Sequence, residues 1–403
     1  MGIVAILAGS PVSGSSPAPA DEAGVVTIRT VAVGDPGNAS VGVVSVFGGA
    51  NEFVDPPANG GIYTNCDEAP PGPPYCLTVG GVGYPYQIGE TEVTVQQYVT
   101  FLNVVDPHGR NDAGLYRDMM GPDLWPKYGS VAFDASADRG AHYSVADPTW
   151  ADKPFGFADF PRAARFANSL SNGTILSQKS STEGGFPITT YRVRLSHDTE
   201  KGMYDMSDPS AERAASTGFV IPSNDEWIKA GHYDPSGRGT LGYWQYPTGP
   251  TDAPNVALLD PSTGDVVNAG HQPLAVYNPG FLRRCPAPIR RGAAHPTWSS
   301  RRVTARTRST SPGVAAAAWQ ATSPRSDRPR PAHEGWRTPP GSGWNVVEWQ
   351  DTIVPPREGM TISFLRISGR TRCPFGFQPQ DQYVLDGIYP WFGFRVGFIG
   401  DGS

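Results

Sequence analysis

The segment that most constrains the fold spans residues 219–235 and reads FVIPSNDEWIKAGHYDP. Ser223 stands where a helix N-cap belongs, and Glu226 follows three residues later. In a capping box the cap hydroxyl accepts an N–H of the first turn, and the later carboxylate accepts the N–H of the cap residue. We therefore predict a strand end followed by a helix that starts after Ser223. Gly231 and the Asp-Pro step that follows are predicted to end this helix.

A second capping box stands in the segment 84–103. Thr94 is predicted to cap a helix, with Gln97 completing the box. The apolar positions just before this cap are predicted to belong to one strand: Tyr86, Ile88 and Val93.

The third helix signal lies in the segment 153–170. Asp159 is a suitable cap, and Pro161 suits the first helical turn because its missing N–H has no partner to lose there. Small alanines follow, which let a helix approach a sheet closely. We predict that all three helices are scaffold, since none carries a pattern typical of catalysis.

Composition narrows the fold class and the partners. The 403 residues include 48 glycines and 41 prolines, and 11% are aromatic. This content predicts a loop-rich α+β protein with aromatic cores rather than a helical bundle or a regular α/β protein. The net charge of −6 gives no reason to expect nucleic acid as a partner, and no apolar run is long enough for a transmembrane helix.

Both ends of the chain have their own signals. Residues 1–22 hold a short apolar stretch and an Ala-Pro-Ala site, so they predict a truncated export signal, with a disordered tail as the alternative. The segments 25–33 and 41–47 predict strands. The chain closes on an aromatic strand over 389–398, in which Arg395 needs a partner if it is buried.

Four cysteines occur in the chain. Cys66 and Cys76 bracket a proline-rich loop, which a disulfide would close in an exported protein. Two unpaired thiols are the alternative that the spacing leaves open. The histidines show no zinc-ligand spacing, and no Cys-x-x-Cys pair occurs.

Residues 281–343 break the composition, because they are rich in arginine, proline and alanine and contain no lysine. Apolar periodicity is absent, so a disordered insertion is one interpretation. A shifted reading frame in a GC-rich gene is the other. A nucleic-acid-binding arm is disfavoured because aromatic residues between the arginines are sparse.

Taken in order, these landmarks resemble the formylglycine-generating enzyme (sulfatase-modifying factor) family. The segment YQIGETEVT at 86–94 is similar to the family's opening strand and first helix, and ARFAN at 164–168 looks like part of its second helix. The segment 219–235 is similar to its leucine-proline-threonine-glutamate-glutamate-tryptophan region. The segment NVVEW at 345–349 resembles its asparagine-x-tryptophan-glutamate-tryptophan signature, and GFRV at 393–396 its closing glycine-phenylalanine-arginine.

The resemblance implies one α+β domain over residues 23–280 and 344–400, with an irregular C-type-lectin-like fold of low regular secondary structure. Active members oxidise a sulfatase cysteine to formylglycine with copper(I), which two late cysteines hold. Cys373 stands near one of these positions, and Ser368 near the other. A serine hydroxyl does not replace a soft thiolate ligand of copper(I).

The resemblance also implies calcium, an ion that takes carboxylate, amide and carbonyl oxygens. One site would use Glu348 with the carbonyls of Trp344 and Val346. A second would use Asn255, the Val256 carbonyl and Asp265. The alternative is that Glu348 pairs locally and that Asn255 makes a turn.

Three functional interpretations remain open. The first is a secreted or periplasmic bacterial domain, monomeric and without oxidase activity, that binds a protein, peptide or glycan. The second is an active copper-dependent oxidase whose C-terminal sequence is corrupted. The third is a structural surface module stapled by calcium.

Overall fold

The computed structural model describes these residues: 23–44, 62–63, 76–123, 131–183, 185–208, 212–214, 217–237, 241–243, 255–256, 274–275, 347–354, 365–369, 381–383 and 392–400. They form a mixed helix-and-strand structure with an antiparallel sheet and few helices. No helix within these ranges has the length and apolar character that a bilayer crossing requires.

Three α-helices occur in the described part: α1 (Val95–Val105), α2 (Phe160–Ser171) and α3 (Asn224–His232). The capping predictions are confirmed. The Thr94 hydroxyl accepts from the N–H of Gln97 at 3.2 Å, and the Ser223 hydroxyl accepts from the N–H of Glu226 at 3.2 Å. Both reciprocal hydrogen bonds of each capping box are present. At α2 the Asp159 carboxylate caps the first turn, which also holds the proline.

The strands of the described part, in chain order, are as follows: β1 (Val25–Val33), β2 (Val41–Val44), β3 (Ile62–Tyr63), β4 (Cys76–Val79), β5 (Tyr86–Gly89), β6 (Val131–Phe133), β7 (Tyr143–Val145), β8 (Thr174–Glu183), β9 (Phe186–Arg194), β10 (Gly218–Val220), β11 (Asn255–Val256), β12 (Leu274–Ala275), β13 (Val347–Val354), β14 (Leu365–Gly369), β15 (Asp381–Tyr383), β16 (Phe392–Gly393) and β17 (Gly397–Ile399).

Six of these strands form the central sheet in the order β10-β17-β5-β1-β9-β8, with every neighbouring pair antiparallel. A second sheet has the order β15-β14-β13-β16, in which β13 and β16 run parallel. The central sheet joins strands from both ends of the chain, because β17 inserts between β10 and β5. The C-terminal segment is therefore part of the framework that the N-terminal half builds.

One hydrophobic core joins a face of the central sheet to α1 and α2. Aromatic rings fill it; Tyr98 stacks on Phe155 with ring centroids 3.7 Å apart, and Phe394 meets Phe166 edge-on. A smaller core joins α3, through Trp227, to the ends of β1 and β5. The buried side chains of α1, among them Val95, Tyr98 and Leu102, belong to the larger core and recur at helical spacing.

Three element boundaries differ from the sequence predictions. Val93 is buried but follows β5 rather than continuing it, since its N–H and C=O bond to the Phe394 carbonyl and the Phe155 N–H. Gly231 lies inside α3, which continues to His232. The closing aromatic segment forms two short strands, β16 and β17, with an interruption at 394–396. At Val93 and at 394–396, tertiary hydrogen bonds override the local pattern.

The predicted strand over 25–33 is confirmed as β1, and the strand predicted over 41–47 is β2 as far as the described residues extend. The tail 1–22 and the insertion 281–343 lie outside the described residues. The interpretations of both segments stay predictions.

Candidate functional site

The interruption between β16 and β17 places Arg395 in the interior, where its side chain is 1% exposed. Its guanidinium makes a two-pronged contact with the Glu348 carboxylate of β13. Nε donates to Oε2 at 2.5 Å, and Nη2 donates to Oε1 at 2.7 Å. Two parallel charge-assisted hydrogen bonds of this kind fix the orientation of both groups. The prediction that a buried Arg395 has a partner is confirmed.

Three further residues complete the surroundings of this pair. Arg395 Nη1 donates to the Gly89 carbonyl at 2.9 Å. Glu92 Oε1 lies 3.4 Å from Arg395 Nη2 in an ion pair. The indole N–H of Trp227, on α3, donates to Glu348 Oε2 at 3.2 Å. We call Arg395, Glu348, Glu92 and Trp227 the Arg395 cluster.

The Arg395 cluster holds two acids and one base in a dry interior, since Glu92, Glu348 and Arg395 are each at most 3% exposed. Burial raises the pKa of Glu92 to about 8; the Arg395 charge opposes this shift and the Glu348 charge adds to it. Burial also works against the charge of Arg395, but Glu348 and Glu92 raise its pKa overall. The raised pKa favours the protonated form of Glu92 at neutral pH.

Backbone hydrogen bonds hold both sides of Arg395 in place. Val396 accepts from the N–H of Gly89 at 2.7 Å, and Phe394 accepts from the N–H of Val93 at 2.9 Å. Gly89, at the end of β5, and Val93, just before α1, therefore hold the C-terminal segment by hydrogen bonds on either side of the arginine. A buried charge needs such fixed partners, because its desolvation is costly when the geometry loosens.

The strand that carries Glu348 is anchored from its other face. Trp349 is 1% exposed, stacks on Phe392 and donates its indole N–H to the Ala158 carbonyl at 2.9 Å. The Ala158 N–H in turn donates to the Phe392 carbonyl at 2.9 Å. The segment before α2 thus connects to β13 and β16, and the alternation of β13 points Glu348 and Trp349 to opposite faces.

A second polar network surrounds the start of α3. Glu226 accepts from Arg213 Nη2 at 2.6 Å, from Arg213 Nη1 at 2.9 Å, from the Tyr84 hydroxyl at 2.8 Å and from the Ser223 N–H at 2.7 Å. Arg213 Nε lies 3.8 Å from the Asp351 carboxylate of β13. Burial and the nearby Glu226 charge raise the pKa of Tyr84. We call these residues the Arg213 network.

Where α3 packs against β13, some buried polar atoms have no hydrogen-bond partner. Among the described residues, Asn224 Oδ1 and both amide atoms of Gln350 are buried without a hydrogen bond, as is Glu92 Oε1. Gln350 lies two residues after Glu348 on β13, and the Asn224 N–H donates to the Thr352 hydroxyl two residues further on. The α3–β13 interface therefore contains buried polar side chains beside the Trp227 ring.

The structure describes part of the expected site residues. Glu348 is in the Arg395 cluster. Asn255 and Val256 form β11, whose backbone pairs with β12. Ser368 lies in β14 with its backbone opposite Trp349. The remaining residues lie outside the described ranges: Cys66, Asp265, Trp344, Val346 and Cys373. The backbone of Cys76 starts β4, so the Cys66–Cys76 disulfide stays a prediction, as does the copper role of Cys373.

For calcium, the described geometry gives one observation. Both Glu348 oxygens accept hydrogen bonds from a full positive charge, so a calcium ion would compete with Arg395 for them. No group of three or more His, Cys, Asp or Glu side chains is arranged to hold a metal within the described residues. The calcium assignments stay predictions.

Sequence reasoning did not find Glu92 or Arg213. Glu92 stands in the polar run ETEVT and looks like a solvent-exposed residue. Arg213 lies in a stretch without periodicity, so only the fold brings it to Glu226.

Comparisons with known proteins assign no family. No family profile matches the chain, and no curated protein matches it. A solved structure titled "Crystal Structure of CarF" superposes with a TM-score of 0.38 and 16% sequence identity, over 93% of this chain and 99% of that one. A similarity at this level establishes neither the fold nor the function.

Proposed function

We propose that this chain is a formylglycine-generating-enzyme-like domain with a C-type-lectin-like fold, exported from the cell. In this proposal it acts as a binding module for a protein, peptide or glycan and lacks cysteine-oxidase activity. The proposal extends the sequence resemblance, which rests on landmarks far apart in the chain.

The observation that carries it is the convergence of those landmarks on one buried cluster. The segments 86–94, 219–235, 345–349 and 393–396 each supply at least one contact to Arg395 or Glu348, and the segment before α2 anchors the adjacent Trp349. Segments that resemble one family in the same order are expected to form the shared core of that family's domain. This convergence supports the resemblance at the level of the framework.

The loss of oxidase activity is inferred from the second copper position. Ser368 lies in β14, the strand that follows and pairs with the NVVEW strand. Copper(I) is a soft ion that prefers thiolates, so a serine at this position removes one of the two ligands that the resemblance implies. Cys373 alone is expected to bind copper(I) weakly.

The test uses the full chain and copper(I) in competition with a chelator of known affinity, before and after thiol blocking. Wild type is expected to bind copper(I) with nearly the affinity of its Cys373→Ser variant, which keeps the other three cysteines. It is also expected to give no conversion of a sulfatase cysteine peptide to its aldehyde by mass spectrometry. Ser368→Cys is expected to raise copper(I) affinity by about tenfold or more, because a second soft ligand joins the first. Ser368→Ala is the matched control.

Two results would separate the alternatives. Peptide oxidation by wild type would favour the active oxidase over the binding module. Saturable binding on a glycan or peptide array is expected for the binding module, and its absence from both arrays would remove that half of the proposal.

Calcium is tested separately by the melting temperature in calcium and in chelator, since an ion that binds the folded state raises it. Equal melting temperatures in calcium and in chelator would rule out the hypothesis of a calcium-stapled structural module.

A further inference from the structure

The strand β8 ends the central sheet on one side. It is a ten-residue strand that pairs only with β9 among the described residues, with a bulge between Ile175 and Ser177. An edge strand presents a row of backbone N–H and C=O groups that no neighbour satisfies. Most edges of this kind are short or covered, whereas β8 is long.

Within the described ranges no segment pairs with this outer edge, and every residue of β8 except Ser177 is exposed. The partner strand β9 differs, because buried and more exposed side chains alternate along much of it. Its buried side chains include Ile188, Tyr191 and Val193. Both faces of β8 are therefore open to solvent along with its outer edge. Such a strand is a template for a further antiparallel strand.

The charges of β8 select one way of pairing. Its only charged residues are Lys179 and Glu183, and it contains no proline. A lysine on an edge strand normally opposes pairing, because the approaching strand would bury its charge. That cost disappears if an acidic side chain lies directly opposite.

We infer that β8 pairs antiparallel with β8 of a second copy of this chain, about a two-fold axis at Ser181. In this register Lys179 of each copy faces Glu183 of the other, and Ser180 faces Thr182. A two-fold axis makes the contact self-complementary, so each favourable charge pair occurs twice.

The existing contacts of Glu183 fit this arrangement. Its carboxylate accepts from Arg29 Nη2 at 2.8 Å, yet its side chain remains 53% exposed. Thr190 of β9 pairs with Lys179 of β8 on one side and with Arg29 of β1 on the other. The side chains of Lys179 and Arg29 therefore lie on the same face of the sheet. Across the two-fold axis, Glu183 therefore lies between Arg29 of its own copy and Lys179 of the second copy.

The first experiment is sedimentation velocity of the full chain over a range of concentrations. Wild type is expected to form a dimer in a concentration-dependent manner. Lys179→Glu places like charges opposite each other twice and is expected to raise the dissociation constant by about tenfold or more. Lys201→Glu makes the same change of charge at an exposed site beside Asn172, at the opposite end of β8 from the Lys179–Glu183 stretch, and is expected to leave the dissociation constant unchanged. A wild-type monomer at all concentrations, or equal effects of the two variants, would overturn the inference.

The second experiment tests the register by cross-linking. Ser181→Cys places two cysteines opposite each other on the axis, within the Cα separation that a disulfide accepts. Mild oxidation is expected to give a covalent dimer on non-reducing electrophoresis. Thr174→Cys, at the other end of β8, is expected to give no more than the wild-type chain with its own cysteines. Equal cross-linking at both positions would contradict an axis at Ser181.

Discussion

The Arg395 cluster and the Arg213 network both pair an arginine with a buried glutamate, but they differ in their access to water. Arg395 and its two acids are sealed, whereas the Arg213 side chain is 15% exposed and its partner Tyr84 is 38% exposed. In the open network Glu226 has four hydrogen-bond donors around its carboxylate. In the sealed cluster Glu92 keeps an oxygen without a hydrogen bond and retains a proton.

The difference in access to water between the two groups affects how their charges are balanced. In the Arg213 network, the guanidinium and the Tyr84 ring are partly exposed to water, and four hydrogen-bond donors surround the Glu226 carboxylate. In the interior, a second acid beside one arginine has no counter-charge, so the lower-cost state is the protonated one. Arginine and glutamate thus pair at the periphery in the Arg213 network. In the Arg395 cluster they pair in the interior, where they join β5, β13 and the segment between β16 and β17.

The largest expected effect comes from removing the buried cation. Arg395→Met keeps the aliphatic stem but leaves Glu348 buried without its partner, and the free energy of unfolding is expected to fall by about 3–5 kcal/mol. Arg213→Met is the matched change in the open network, and a loss of about 1–2 kcal/mol is expected. Urea denaturation followed by tryptophan fluorescence measures both. Equal losses would remove the distinction between the two regions.

The next effect concerns the proton on Glu92. Because its pKa is about 8 in the folded state and 4.5 as the ordinary value, the folded chain holds one more proton than the unfolded chain between these pH values. Its contribution to stability is therefore complete below about pH 4.5, falls as pH rises, and is lost above about pH 8. Glu92→Gln imitates the protonated acid and removes this dependence.

The variant Glu92→Gln is thus expected to match wild type at pH 4.5 and to exceed its unfolding free energy by about 2 kcal/mol or more at pH 9. Denaturation curves of both proteins over this pH range give the difference. Asp205→Asn is a control of opposite sign, because hydrogen bonds from Ser207 lower the pKa of Asp205 and its contribution is lost only in acid. A constant difference between Glu92→Gln and wild type would show that Glu92 is ionised in the fold.

A smaller effect is expected at the indole that reaches the cluster from α3. Trp227→Phe removes the donor to the Glu348 carboxylate, and the free energy of unfolding is expected to fall by about 2 kcal/mol. Trp349→Phe removes a hydrogen bond to a neutral carbonyl and is expected to cost about 1 kcal/mol. Thermal and urea unfolding compare the two. A larger loss for Trp349→Phe would mean that packing outweighs the charge of the acceptor.

The smallest effect is expected at the cap of α3. Ser223→Ala removes the acceptor for the Glu226 N–H and is expected to lower the free energy of unfolding by about 1 kcal/mol. Arg213 and Tyr84 still hold the Glu226 side chain in this variant. In Thr94→Ala, which alters the other capping box, the Gln97 side chain keeps one hydrogen bond, from its amide to the Thr27 carbonyl at 2.7 Å. This is weaker support than Arg213 and Tyr84 give Glu226, so a cost at least as large is expected. The reverse order in urea denaturation would indicate that the Arg213 network depends on the cap.

The sequence was most informative where local chemistry decides structure. Capping boxes at Thr94 and Ser223 are short-range hydrogen-bond patterns, so they marked the starts of two helices correctly. The strand β1 likewise follows from its run of Val, Ile and Thr. Predictions of where elements end were less accurate, as at Gly231, because termination depends on what the next residues contact.

The candidate site could be predicted only in part. Arg395 in an aromatic segment signalled a buried partner, but nothing in the sequence named Glu348, because the two are far apart in the chain. Glu92 gave no signal, since most of its neighbours in ETEVT are polar and Arg395, with which it forms an ion pair, is far away in the chain. The copper and calcium expectations rest on resemblance, and most of their residues lie outside the described ranges.

By itself, the sequence determined the helix starts, the strand β1 and the need of Arg395 for a partner, because each depends on residues within a few positions. Only the tertiary structure decided that the segment 219–235, β13 and the interruption at 394–396 meet at one charged cluster. It also decided that Glu92 keeps a proton there. The physical reason is that burial and charge balance are properties of the assembled interior, which brings together groups that local sequence cannot relate.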